Sequence, residues 1–191
     1  MRRFPFYSTL LGLIFLIAFT GCSITTHDKG DGKKDDVDIR TPFGSLSVKE
    51  GNSNVKDTGM ALYPGAREQK DSGDDHHSAN VNISSSLFGL KVVAMKFASD
   101  DPSDKVLTFY RKEMGKYGKV VDCTGGFNMN FHHHDSDAEV TCSNDSHDHE
   151  YKEELKVGTE NNQRIMAVKP KDNGSEFTLV YVRAWDNTEK N

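Results

Sequence analysis

Residues 131–150 read FHHHDSDAEVTCSNDSHDHE and hold five of the chain's eight histidines. Neutral imidazoles and carboxylates that converge on one point hold divalent metals. His147 and His149 are two residues apart, so on an extended chain their rings point to one side. One of His132, His133 and His134, with Asp135 or Asp137, would complete a tetrahedral set for zinc or a tetragonal one for copper(II) or nickel. His76 and His77, beside Asp74 and Asp75, join such a set only if their loop folds close. The same composition also describes a solvated surface loop, because no paired CxxC spacing of a structural zinc site is present. Such a patch would in addition gain positive charge near about pH 6.5.

Other chemistry is harder to find. The chain has no G-x-S-x-G, HExxH, Walker loop or dinucleotide glycine fingerprint. Ser53-Asn54-Val55-Lys56 satisfies S-x-x-K but lies in a polar connector without its companion motifs. The expectation is a protein that is not an enzyme. Trp185, the one tryptophan, reads as packing at a strand end, with a ligand platform as the lesser alternative.

The N-terminus is more specific. Arg2 and Arg3 precede an apolar run from Leu10 to Phe19, and Phe19-Thr20-Gly21-Cys22 follows. A short cationic segment, about ten apolar residues and small residues at the break form the secretory pattern. The stretch is short for a membrane span of about 20 residues. The break before cysteine resembles the lipobox of bacterial lipoproteins, although Phe19 stands where leucine is usual. That resemblance implies removal of residues 1–21, lipid on Cys22 and attachment to the membrane. Ser23, rather than aspartate, is similar to outer-membrane sorting. The expected place is the cell envelope, lipid-anchored in the outer membrane and facing the periplasm or the cell surface. Palmitate and other acyl chains hold firmly, at about 0.8 kcal/mol per buried methylene.

Losing Arg2 and Arg3 takes the net charge from −5 to −7, which disfavours nucleic acid and anionic lipid as partners. With Cys22 given to lipid, Cys123 and Cys142 remain as an even pair. In an oxidising compartment a disulfide is their simplest fate, two separate buried thiols the alternative.

The elements that must position these residues follow from periodicity. Residues 22–36, the lipidated cysteine and SITTHDKGDGKKDD, read as a flexible tether. Residues 37–187 read as the folded domain and 188–191 as a tail, with 37–60 a hairpin and connector that could stand as a satellite. Val37, Ile39, Leu46 and Val48 alternate around Pro-Phe-Gly, predicting that hairpin. Val81 and Ile83, then Leu90 to Phe97, predict a second. Asp101-Pro102-Ser103-Asp104 predicts a helix start with Asp101 as cap and Pro102 as first helical residue. Val106, Phe109, Tyr110, Met114 and Tyr117 form its apolar stripe, and Gly118 its end. Strands are predicted at 119–123, 138–142, 152–157, 163–169 and 176–184, with FTLVYVRAW central. The fold class is α+β: an antiparallel sheet with one main helix packed on one face, preceded by an N-terminal β-hairpin.

Tyr63-Pro64-Gly65-Ala66, followed by an apolar strand and then Asp101-Pro102-Ser103-Asp104-Lys105-Val106 and Phe109-Tyr110-Arg111, resembles a group of small uncharacterised bacterial lipoproteins. These carry a YPGA turn and a helix of the form DSPEKVxxFYRKxL. Leu155-Lys156-Val157-Gly158-Thr159 and Val180-Tyr181-Val182-Arg183 are similar to that group as well. The resemblance implies a shared fold and an envelope location, and no chemistry. The leading expectation is a membrane-anchored envelope lipoprotein with a structural or interaction role and an envelope protein as partner. The alternative is a metal-binding envelope protein that takes zinc, copper or nickel on the His-rich loop.

Overall fold

The computed structural model describes residues 23–29, 33–50, 53–69, 78–124, 138–142, 151 and 153–186. Among them the strands are β1 (Ser23–Lys29), β2 (Lys33–Thr41), β3 (Gly44–Glu50), β4 (Arg67–Glu68), β5 (Ala79–Ser85) and β6 (Phe88–Ser99). Helix α1 (Ser103–Met114) follows, then β7 (Val121–Thr124), β8 (Glu153–Thr159), β9 (Asn162–Lys171) and β10 (Gly174–Asp186). All pairings are antiparallel, in the order β1-β2-β3-β5-β6-β10-β9-β8-β7, with β4 beside β6. The fold is therefore α+β, built from two meanders that meet where β6 pairs β10.

Alternation places the core. Directly paired residues share a face of a sheet, so each register row lays one layer of side chains. Phe97, Phe177 and Val168 form one layer, and Met95, Leu179, Met166 and Leu155 the next. Helix α1 packs Val106, Tyr110 and Met114 onto these layers, all three 0% exposed. Phe177 stacks on Phe97 at 5.4 Å between centroids and tilts against Tyr110 at 5.5 Å. Each such side chain contributes roughly 1.5–3 kcal/mol when removed from water. The opposite face of β6, β9 and β10 carries a smaller cluster of Ile165, Val180 and Val182. Strand β10 is apolar on both faces because it lies between β6 and β9.

The two sequence motifs interlock. Ala66 N–H donates to the Tyr63 carbonyl at 3.0 Å, and Gly65 takes φ +78° at the turn position that requires it. The Tyr63 hydroxyl then donates to Asp101 at 2.8 Å, and Lys105 Nζ donates to the other oxygen of that carboxylate at 2.8 Å. Asp101 is thus not the helix cap predicted from sequence. The N-cap position is Pro102, which has no side-chain acceptor, and Ser103 is the first helical residue. The carboxylate is held by Tyr63 and Lys105 instead. At the other end α1 passes into a 3-10 turn, Gly115–Tyr117, before reaching Gly118.

Two further segments differ from expectation. Residues 23–29 and 33–36, whose charge and glycine content suggest a tether, lie in β1 and the start of β2. Ile24 and Thr25 are β-branched and Ile24 pairs in register with Ile39, while residues 33–36 enter β2 through backbone pairing with β1. Residues 138–142 form no strand; they make a single bridge, Glu139 to Thr159, and bury Val140. They do not pair with the strand at Cys123, whose neighbour is β8. A disulfide ties the segment to β7 instead.

Candidate functional site

Cys123 and Cys142 are joined, with Cα atoms 5.4 Å apart. Cys22, His132, His133, His134, Asp135, Asp137, His147 and His149 lie outside the described residues, as do His76 and His77 with Asp74 and Asp75. Among the described residues no group of three or more His, Cys, Asp or Glu side chains is placed to hold a metal ion. No helix among them is long and apolar enough to cross a membrane.

Open depressions lie among the described residues. The first, about 490 Å³, lies beside the Tyr63-Pro64 turn and α1; Tyr63 and Lys105 in its wall are joined through Asp101, and Asp104 has no side-chain partner among the described residues. The second, about 410 Å³, lies at the β9–β10 turn. There Arg67 holds Asp100 through two bonds of 2.8 and 2.6 Å, while Lys171 is committed to Glu176 at 2.6 Å. In both, the cations are paired with carboxylates, and the charge left over among the described residues, Asp104 in the first and Asp172 in the second, is acidic.

The third depression, about 470 Å³, is different. It runs across β2, β3 and β5 on the face of the sheet that also carries α1. Register rows build it: Arg40 faces Ser45, Ser45 faces Ser84, Ser84 faces Gly89, and Gly89 faces Trp185. The next row runs Asp38, Ser47, Asn82, Lys91 and Arg183. Lys49 follows beside Asn80.

Trp185 closes one end. A Cβ placed on Gly89 would come within 2.0 Å of the indole ring, so only glycine lets the ring lie across β6. The indole is half-buried, and the Arg183 guanidinium sits 5.8 Å from its centroid. Among the described residues, no hydrogen bond or ion pair engages the side chains of Asp38, Arg40, Ser45, Ser47, Lys49, Asn82, Ser84 or Lys91. The surface thus joins a flat aromatic face, neutral groups that both donate and accept, and uncompensated cations.

A second cluster is buried on the opposite face. Glu176, 1% exposed, lies 3.1 Å from Lys96, 2.9 Å from Lys169 and 2.6 Å from Lys171. Burial alone would raise its pKa, but the three ammonium groups outweigh it and bring it down to about 2. Glu154, also 1% exposed, lies 3.5 Å from Lys156. Here burial dominates and raises the pKa to about 7. Its partner Lys156 helps to line a cleft of about 10 Å³ with Val140.

The tryptophan groove went unread in the sequence because its signal is divided. The apolar halves of residues 37–48 and 81–83 mark strands, while the polar halves read as solvent. A glycine opposite a tryptophan is the local sign, and it shows only once β6 is paired with β10. Comparison with known proteins finds no matching family, no similar curated protein and no solved structure of similar fold.

Proposed function

We propose that this chain is a lipid-anchored protein of the bacterial envelope that works by binding a ligand in the Trp185 groove. In this reading residues 1–21 are removed, Cys22 carries the lipid, and residues 37–187 form the binding domain. The N-terminal hairpin supplies the wing on which the groove lies. FTGC preceded by Arg2, Arg3 and an apolar run supports the anchor.

One observation carries the binding role. The groove exposes the unpaired cations Arg40 and Lys49 beside an aromatic platform, whereas the cations of the other two depressions are paired with carboxylates. Concave surfaces with a few convergent polar groups around an apolar contact are what ligand sites use. Binding rather than catalysis is favoured because the groups with the most displaced ionisation, Glu154, Glu176 and Tyr110, are at most 1% exposed. None of them lines the three depressions described above.

Two measurements test this. Palmitate incorporation should vanish in Cys22→Ala, and acylation that persists would refute the anchor. Hydroxyl-radical footprinting should find Trp185 less reactive on intact cells than in the purified protein in detergent. Equal reactivity in both would refute an occupied groove.

A further inference from the structure

The chemistry of the groove also names its ligand class, an inference that rests on the binding role proposed above. Three features narrow the choice. First, β2, β3 and β5 are interior strands, and their backbone groups are already engaged with neighbours on both sides. A peptide strand cannot add itself there by main-chain pairing, so recognition falls to side chains. Second, the floor offers serine hydroxyls and the Asn82 amide, which both donate and accept, as do the hydroxyls of a sugar. The π face of Trp185 bears partial negative charge and attracts the partially positive C–H bonds on the flat side of a pyranose ring.

Third, the charge is one-sided. Among the described lining residues Arg40 and Lys49 stand against Asp38, and Lys91 and Arg183 lie on the adjoining strands of the Asp38 row, in a chain whose net charge is −5. A local excess of cations on an acidic protein marks an anionic ligand. Arginine holds a carboxylate through two parallel N–H···O bonds. Single-stranded nucleic acid is the competing anion. Its binding uses several stacked bases on several aromatic rings, and among the described residues Trp185 is the only aromatic one lining this groove.

We propose that the groove binds an acidic oligosaccharide, with one sugar ring stacked on Trp185 and carboxylates held by Arg40 and Lys49. Trp185 is the only tryptophan of the chain, so its emission reports this surface alone. The mature lipidated protein in neutral detergent is titrated with oligogalacturonate and with hyaluronan oligosaccharides, each beside its carboxyl-esterified form, and with oligothymidylate. Binding is followed by Trp185 emission and by calorimetry.

The acidic oligosaccharides should shift the emission saturably and lose about tenfold or more in affinity on esterification. Arg40→Ala with Lys49→Ala, both exposed positions, should produce a similar loss with unchanged thermal unfolding. Trp185→Phe, which keeps a ring over Gly89, should weaken binding without abolishing it.

Equal affinity for the esterified forms would overturn the acidic class and leave the groove as a binding surface. Stronger response to oligothymidylate would overturn the sugar class with the same consequence. Silence from every probe, in emission and in heat, would overturn both the ligand class and the groove's binding role.

Discussion

Glu154 and Glu176 are buried to the same 1% exposure on one face of the sheet, yet their carboxyl groups are driven in opposite directions. The difference is the number of ammonium groups within reach. Glu176 has three and is held down to about 2, while Glu154 has Lys156 and rises to about 7. Two carboxylates in one layer therefore give opposite pH dependences.

For Glu176 the folded pKa lies below the unfolded value. Its stabilisation is complete above about pH 4.5 and lost as pH falls toward about 2. The full shift would be worth about 3 kcal/mol, and partial exposure of Lys96 and Lys171 reduces it to about 1–2 kcal/mol. Glu176→Gln should cost that amount at neutral pH and much less near the acid end. Urea unfolding across this range checks it, and a cost independent of pH would refute the ion-pair origin.

Glu154 has the opposite sign. Between about pH 4.5 and 7 the folded state keeps a proton that the unfolded chain has released, so stability falls as pH rises through this window. Wild type should lose about 2 kcal/mol more than Glu154→Gln across it. Parallel stability profiles for the two proteins would show that Glu154 ionises normally.

Tyr110 fills the centre of the core and is polar at its tip. Its hydroxyl accepts from Tyr63 N–H at 3.1 Å and donates to the Ala61 carbonyl at 3.2 Å. Tyr110→Phe keeps the ring and strands a buried N–H, which costs about 1–3 kcal/mol. Thermal unfolding should register a fall of several degrees. A neutral effect would mean that water replaces the hydroxyl.

Gly89→Ala tests the platform directly. The added Cβ has no room beneath the indole, so Trp185 must leave its place. Emission should shift toward that of a solvated indole, with a stability loss of about 1–3 kcal/mol. Unchanged emission would place the ring elsewhere.

The Cys123–Cys142 bridge spans a sequence separation of 19. In the chain-entropy model a loop of that size is worth about 3 kcal/mol. The native protein should show no free thiol at either position, and Cys123→Ala with Cys142→Ala should lose stability of that order. Two titratable thiols in the native protein would refute the bridge.

The helix stripe of Val106, Tyr110 and Met114 was readable because period 3.6 is a local property of the chain. So were the turn at Pro64-Gly65 and the centrality of FTLVYVRAW. Asp101 misled because an aspartate before proline looks like a cap, and only the arrival of Tyr63 from a distant turn reveals its other partner. Residues 138–142 alternate like a strand, but the bridge to Cys123 and the burial of Val140 hold them against the sheet end without a ladder. The groove was illegible for a deeper reason. Its rows cross strands β2, β3, β5, β6 and β10, so no single window of sequence contains it.

The junction between the meanders has a consequence in time. The longest pairing in the sheet joins β6 to β10 across the intervening helix and the β7–β9 meander. Closing such a loop carries an entropic cost that local hairpins avoid, and non-local pairing of this kind slows folding. Until the C-terminal strand arrives, β6 is an apolar edge with Val93, Met95 and Phe97 uncovered. The same pairing that covers this edge sets Trp185 over Gly89, so the groove cannot form before the non-local contact is made.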